Sequence, residues 1–172
     1  MKSFIVAGME LTDALIPPAT VEHTEPPLWF LGGLIRIRVV GEQTGGRLAV
    51  VEHEAHRGYG APLHVHEDDD ETFVVADGTL RFVVGDVEQT LDAGAIAVLP
   101  RQVPHAFVVT SETAKVLTLH TPSQFEAFVR AVGFEAPGAY VPPPAEEPPD
   151  VAALTAAAAR HGITILGPPP AA

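Results

Sequence analysis

The sequence contains no cysteine in 172 residues. That excludes structural disulfides and thiolate metal sites, and leaves His, Asp and Glu as the side chains able to hold a metal. Basic residues are also scarce: 10 Lys and Arg stand against 22 Asp and Glu, for a formal net charge of -12. Such a chain repels a phosphate backbone or an anionic bilayer, so neither nucleic acid nor a membrane surface is an expected partner. Long apolar runs are missing too. The longest, residues 28–35, stops at Arg36 and is far too short to span a bilayer. At the start, residues 4–9 are apolar only briefly before Glu10 and Asp13, too short for a secretion signal and without a cleavage pattern. A cytoplasmic location is the default expectation.

What the chain does have is a regular alternation of β-forming segments and turns. At this length a single domain is expected, burying roughly two thirds of its unfolded surface, so neither metal nor disulfide is needed for folding. Residues 28–120 read as short Val-, Ile-, Leu-, Phe- and Thr-rich segments broken by Gly, Pro and Asp clusters every eight to twelve positions. An all-β fold follows, a single antiparallel barrel or sandwich, and the lack of intervening helices argues against an α/β sheet. Asp77-Gly78, between residues 72–75 and 79–84, predicts a type I′ hairpin. After the barrel, Phe125, Phe128, Val129 and Val132 recur at helical spacing and predict a helix against the barrel's outer face. Residues 136–150 are a Pro-rich spacer, Asp150 caps a second helix over 151–161, and Gly162 closes it. The Pro-rich tail 168–172 is expected to be disordered. The chain thus divides into an N-terminal arm (1–27), a barrel (28–121) and C-terminal helices with their connector and tail (122–172).

The chemistry is concentrated between Gly58 and Gly78. Side chains alternate faces along a strand, so His64 and His66 present two imidazoles on one face. Two partly buried imidazoles with no shared partner would be costly, which favours a common ligand over coincidence. Glu71 follows the acidic stretch 67–70, read as a solvated loop, and lies on the next strand with Phe73 and Val75 on its own parity. His105 opens a further strand after the turn at 100–104. Three imidazoles and a carboxylate can therefore meet inside the barrel. Phe73 and Phe107 share parity with Glu71 and His105 and are expected to line an apolar substrate pocket. His53-Glu54-Ala55-His56 lacks the i, i+4 helical spacing of a zinc-protease pair, and His23, His120 and His161 stand isolated, so none receives a role. No phosphate-binding loop, nucleophile elbow or cysteine nucleophile is present.

These residues resemble the cupin superfamily. Its first motif, G-x5-H-x-H-x4-E-x6-G, is matched by Gly58, His64, His66, Glu71 and Gly78. Its second, G-x5-P-x-G-x2-H-x3-N, is matched by Gly94, Pro100 and His105, with Gln102 and Val109 in place of the motif's Gly and Asn. Gln102 must then adopt a backbone conformation that suits glycine. Within the superfamily the chain is similar to the bacterial single-domain, quercetin 2,3-dioxygenase-like cupins. They share Gly-Glu-Gln-Thr at 41–44 and a Phe-Glu-x-Phe helix at 125–128.

That resemblance implies a jelly-roll barrel holding one divalent transition metal ion, drawn from Ni, Fe, Mn, Co, Cu and Zn, through His64, His66, Glu71 and His105. It implies a flavonol or other enolisable aromatic substrate, dioxygen as co-substrate, and Glu71 as both ligand and proton acceptor. Such a ligand set leaves one or two positions open on a six-coordinate ion, where substrate and dioxygen can be gathered. For Glu71, the ion's charge and apolar desolvation oppose one another and are expected to bring its pKa toward the working pH. Two other readings fit the same ligands: a different metal-dependent cupin reaction, such as isomerisation or keto-acid dioxygenation, and a non-catalytic small-molecule binder. A homodimer is expected through the apolar edge segment Leu28-Trp29-Phe30-Leu31.

Overall fold

A computed structural model describes residues 25–143 and 149–172; His23 and most of the N-terminal arm lie outside the described residues. The strands are β1 (Leu28–Phe30), β2 (Gly33–Val39), β3 (Ala49–His56), β4 (Gly60–His66), β5 (Asp70–Asp77), β6 (Thr79–Val84), β7 (Val87–Asp92), β8 (Ile96–Leu99), β9 (His105–Val109), β10 (Thr113–Thr121), β11 (Phe134–Glu135) and β12 (Ile163–Gly167). Three helices accompany them: α1 (Gly41–Thr44), α2 (Phe125–Val132) and α3 (Val151–Ala159). The strands form two antiparallel sheets, ordered β11-β1-β2-β3-β10-β5-β8 and β12-β4-β9-β6-β7. They face each other as a jelly-roll sandwich.

Alternation decides which side chains face inward. On β10, Ala114, Val116, Thr118 and His120 are buried, while the residues between them are less so. On β3, Ala49, Val51, His53 and Ala55 share the inward parity. The outward face of that sheet carries an ion network in which Arg36, Arg38 and Lys115 surround Glu52, with Arg36 and Lys115 also reaching Glu54. Burial works against the Glu52 charge, but Arg38 and Lys115 outweigh it and hold its carboxyl below the usual range. One apolar cluster, including Phe73, Phe82 and Phe107, fills one part of the interior. A second, including Phe30, Ile35, Phe128 and Ile163, fills the other and is shared with α2 and α3.

Several expectations change. Asp77-Gly78 does not make a hairpin: β5 pairs with β10 and β8, whereas β6 pairs with β7 and β9. Gly78, at φ 83°, carries the chain from one sheet to the other, and a Cβ there would run into the Thr113 backbone oxygen. The two-residue hairpin is β6–β7, turning at Gly85-Asp86. Nor does α2 lie outside the barrel, because Phe125 packs on the inward-facing rings of His53, His66 and His120. Asp150 does cap α3, accepting from the Ala153 N–H at 3.0 Å. Beyond Gly162, however, the chain forms β12, which pairs with β4 and places Ile163 opposite His66 and Ile165 opposite His64. The tail expected to be disordered continues beside β4, where the Leu63 N–H donates to the Pro168 carbonyl at 3.3 Å. Finally, β1 is flanked by β2 and β11, so its own edge is occupied.

Candidate metal centre and adjoining pocket

His64 and His66 project from β4, and His105 sits directly opposite His64 on β9. Glu71 comes from β5, in the other sheet, so the carboxylate reaches the imidazoles across the sandwich and not from a neighbouring strand. All four side chains are buried, and their ligand atoms lie within 4.8 Å of one another. His64 Nε2 and His66 Nε2 are 3.1 Å apart, and Glu71 Oε2 stands 3.3 Å from His105 Nε2 and 3.6 Å from His66 Nε2.

The outer nitrogens explain why those atoms converge. His64 Nδ1 donates to the Pro62 carbonyl at 2.8 Å, His105 Nδ1 to the Val103 carbonyl at 2.8 Å, and His66 Nδ1 to Asp69 Oδ1 at 3.0 Å. Each acceptor fixes the proton on Nδ1 and turns the Nε2 lone pair toward the centre. His105 Nε2 is buried with no hydrogen-bond partner among the described residues. Three imidazole nitrogens, one of them buried without a hydrogen-bond partner, and a carboxylate suit one divalent transition ion. Burial, reinforced by the neighbouring His105, pushes the His64 pKa down to about 4, so this ring is neutral and ready to coordinate.

The two motif turns are tied together. Asp70, at the start of β5, accepts from the Arg101 backbone N–H at 2.9 Å and pairs with its guanidinium at 2.7 Å. Next to it, Gln102 adopts φ 62°, the left-handed conformation anticipated where the motif has glycine, and its N–H donates to the His66 carbonyl at 2.8 Å. These bonds hold the turn before His105 against the strand end that carries His66.

Comparison with known proteins agrees with this geometry. Residues 51–120 match the family model described as a cupin domain. Together with the two-sheet fold and the four converging side chains, this match supports a place in the cupin superfamily. A quercetin 2,3-dioxygenase of Bacillus subtilis (strain 168) is 29% identical over 125 residues, covering 72% of this chain and 37% of the relative. The chain thus spans little more than a third of that relative's length. A predicted oxalate decarboxylase from Thermotoga maritima superposes with a TM-score of 0.54 at 16% identity, covering 60% of this chain and 99% of that one. KdgF from Halomonas sp. gives 0.51 at 22% identity, with 56% and 84% covered. At those identities the two structures establish the fold alone.

The candidate metal-centre residues rest on a second layer that sequence reasoning missed. Asp69, assigned above to a solvated loop, is only 2% exposed. It bridges His66 Nδ1 and His120 Nδ1, the latter at 2.8 Å. Burial disfavours its charge, but the His120 and His66 hydrogen bonds outweigh that and bring its pKa down to about 2. His120 Nε2 then meets Thr118 Oγ1 at 3.1 Å and lies 3.4 Å from Glu71 Oε1. Thr118 Oγ1 also meets His53 Nε2 at 3.1 Å, and His53 Nδ1 meets the Tyr59 hydroxyl at 3.0 Å. Burial keeps His53 neutral, with a pKa lowered to about 4. The inward parity of Thr118 and His120 on β10 and of His53 on β3 was the signal available in the sequence. His56 is exposed at the end of β3 and diverges from His53.

The Glu71 surroundings differ from expectation as well. Burial favours its neutral acid, yet His120, His105 and His66 together win and hold the carboxyl well below its ordinary range. Glu71 is therefore ionised at neutral pH. Beside it opens a small apolar cavity of about 50 Å³, partly open to solvent, bordered by His64, Glu71, Phe107, Phe125, Phe128 and Leu154 among others. Phe107 lines this space. Phe73 lies behind it, 1% exposed in the core against Phe82 and Phe107. The C-terminal segment contributes Leu154, Ala158, Ile163 and Ile165 to the cavity wall.

Proposed function

We propose that this cupin is a metal-dependent dioxygenase of the quercetin 2,3-dioxygenase type, cleaving a flavonol or similar enolisable aromatic substrate with dioxygen. The observation that carries the proposal is the convergence of three imidazole nitrogens and one carboxylate beside an apolar pocket lined by the Phe107, Phe125 and Phe128 rings. The name of the Bacillus subtilis relative supports it. Among the described residues no helix is long and apolar enough to cross a membrane. We place the activity in the cytoplasm and the protein in a homodimer. With β1 occupied on both sides, pairing through sheet edges would use β11 or β8 of one sheet, or β12 or β7 of the other, among the described residues.

His64, His66, Glu71 and His105 would hold the ion. When bound, it supplies Lewis-acid activation of a substrate hydroxyl and an open position for dioxygen. Glu71 is the proton acceptor: it is ionised, it borders the cavity, and the histidine nitrogens facing the centre are committed to coordination. His120, 3.4 Å from Glu71 Oε1, steadies the carboxylate on the side away from the other ligands. Phe107, Phe125 and Phe128 exclude water from the reacting edge of the substrate.

The test is metal analysis of protein purified without chelators, followed by an oxygen-electrode screen of flavonols and 1,3-diketones. Stoichiometric metal with substrate-dependent oxygen uptake is the expected result. Turnover without oxygen uptake would point to isomerase-type chemistry, and ligand binding without turnover to a non-catalytic cupin. Either would overturn the dioxygenase assignment.

A further inference from the structure

Among the described residues, four polar side chains border the cavity beside the metal centre: His53, Tyr59, His64 and Glu71. Two of these, His64 and Glu71, belong to the centre itself. Both ring nitrogens of His53 are engaged, Nδ1 by the Tyr59 hydroxyl and Nε2 by Thr118. Tyr59 stands apart, because a phenolic hydroxyl can make more than one hydrogen bond and His53 is its sole partner among the described residues. Outside the metal centre, its oxygen is the polar group among the lining residues with hydrogen-bonding capacity to spare.

The Tyr59 side chain is held in place on every side. Its ring packs against Gly33, where a Cβ would stand 2.7 Å from Cε2, so only glycine leaves room for it there. Phe107 meets the ring edge-on at 6.0 Å, and His53 anchors the hydroxyl at 3.0 Å. Burial, with the Glu71 charge nearby, pushes the phenol's pKa upward, so the hydroxyl keeps its proton at neutral pH. A rigid, neutral hydroxyl on an apolar wall is how a binding site fixes the orientation of a ligand that is otherwise recognised by shape.

We propose that Tyr59 recognises a hydroxyl group of the substrate distinct from the oxygen presented to the metal centre. Preferred substrates are then apolar ring compounds carrying a second hydroxyl. This deepens the dioxygenase reading and rests on it for the ring system alone. Tyr59 is the specificity residue, and His53 positions it.

The probes are 3-hydroxyflavone, 3,7-dihydroxyflavone and 3,4′-dihydroxyflavone, titrated calorimetrically into the metal-loaded protein. One dihydroxy probe should bind about three- to tenfold more tightly than 3-hydroxyflavone, the usual worth of one net hydrogen bond. In Tyr59→Phe, which keeps the ring against Gly33 and Phe107, that preference should vanish while metal content stays unchanged. The methoxy counterpart of the preferred probe, tested on the unaltered protein, should lose the gain as well, which decides the matter even where the variant folds poorly. No preference in the unaltered protein, or a preference that survives in Tyr59→Phe, overturns the proposal. If no flavone binds, the ring system assumed for the dioxygenase fails, and Tyr59 is judged on naphthalene-2,6-diol against 6-methoxy-2-naphthol by the same two outcomes.

Discussion

Replacing Asp69 with Asn should loosen the metal centre although Asp69 is not a ligand. Its two carboxylate oxygens accept one N–H from His66 and one from His120, at 3.0 and 2.8 Å, in a pocket where it is 2% exposed. Lowering its pKa from 3.8 to about 2 corresponds to roughly 2 to 3 kcal/mol of stability. Because the folded pKa is depressed, that stability is fully present above pH 3.8 and is lost as pH falls through 2. An asparagine amide has one acceptor oxygen and a donor group, so it satisfies one ring and opposes the other with its NH2. If His66 is the ring that changes tautomer, its Nε2 takes a proton and no longer faces the metal with a lone pair. Metal affinity should fall about 10- to 100-fold, the usual consequence of losing such a partner. The melting temperature should drop by about 5 to 10 °C, from the stability above and the thermal scaling of a domain of this size. Competition with a chromogenic chelator measures the first and calorimetry the second. An Asp69→Asn protein whose metal affinity stays within twofold and whose melting point stays within a degree would refute the reasoning.

Glu71→Gln should retain most of its metal, since the amide oxygen still coordinates, while turnover falls by roughly two to four orders of magnitude for want of a proton acceptor; near-normal turnover would leave Glu71 a ligand only. His105→Ala, His64→Ala and His66→Ala should each lower metal content and activity together, and full occupancy in any of them would remove that residue from the ligand set. In the metal-free protein burial works against a charged His66, but Asp69 and Glu71 outweigh it and raise its pKa to about 10. Metal uptake must then displace that proton, so apparent affinity should rise about tenfold per pH unit between pH 7 and 9. Over the same range the metal-free protein should lose stability, because a raised histidine pKa stabilises fully below its ordinary value of 6.5 and that contribution fades toward 10. A pH-independent affinity would contradict the Asp69–His66 pairing. Sedimentation should give about twice the 18.1 kDa chain mass, and a concentration-independent monomer would exclude the dimer.

Strand parity and motif spacing are local properties of the chain, and they were sufficient to single out His64, His66, Glu71 and His105 as a candidate cluster, and to read the β class, the helix at Phe125 and the turn at Gln102. A period of two puts His64 and His66 on one face whatever the rest of the chain does. What parity cannot show is which sheet a strand joins. The Asp77-Gly78 turn has hairpin composition, yet it switches sheets because β5 finds more partners in β10 and β8 than in β6. The same long-range choice brings Glu71 across the sandwich to the histidines. It also folds residues 163–167 back onto β4, where a short apolar segment after a helix gave no sign of its partner. Asp69 looked like one of four solvated acids, and only the arrival of His120, 51 positions later, makes its burial affordable by pairing both oxygens. Parity turns His53, Thr118 and His120 inward, but their partners, and that of Tyr59, are set by proximity across the fold. Each is an unremarkable polar residue in its own strand or turn, and the packing of two sheets around a dry interior leaves each one only its neighbours to bond with.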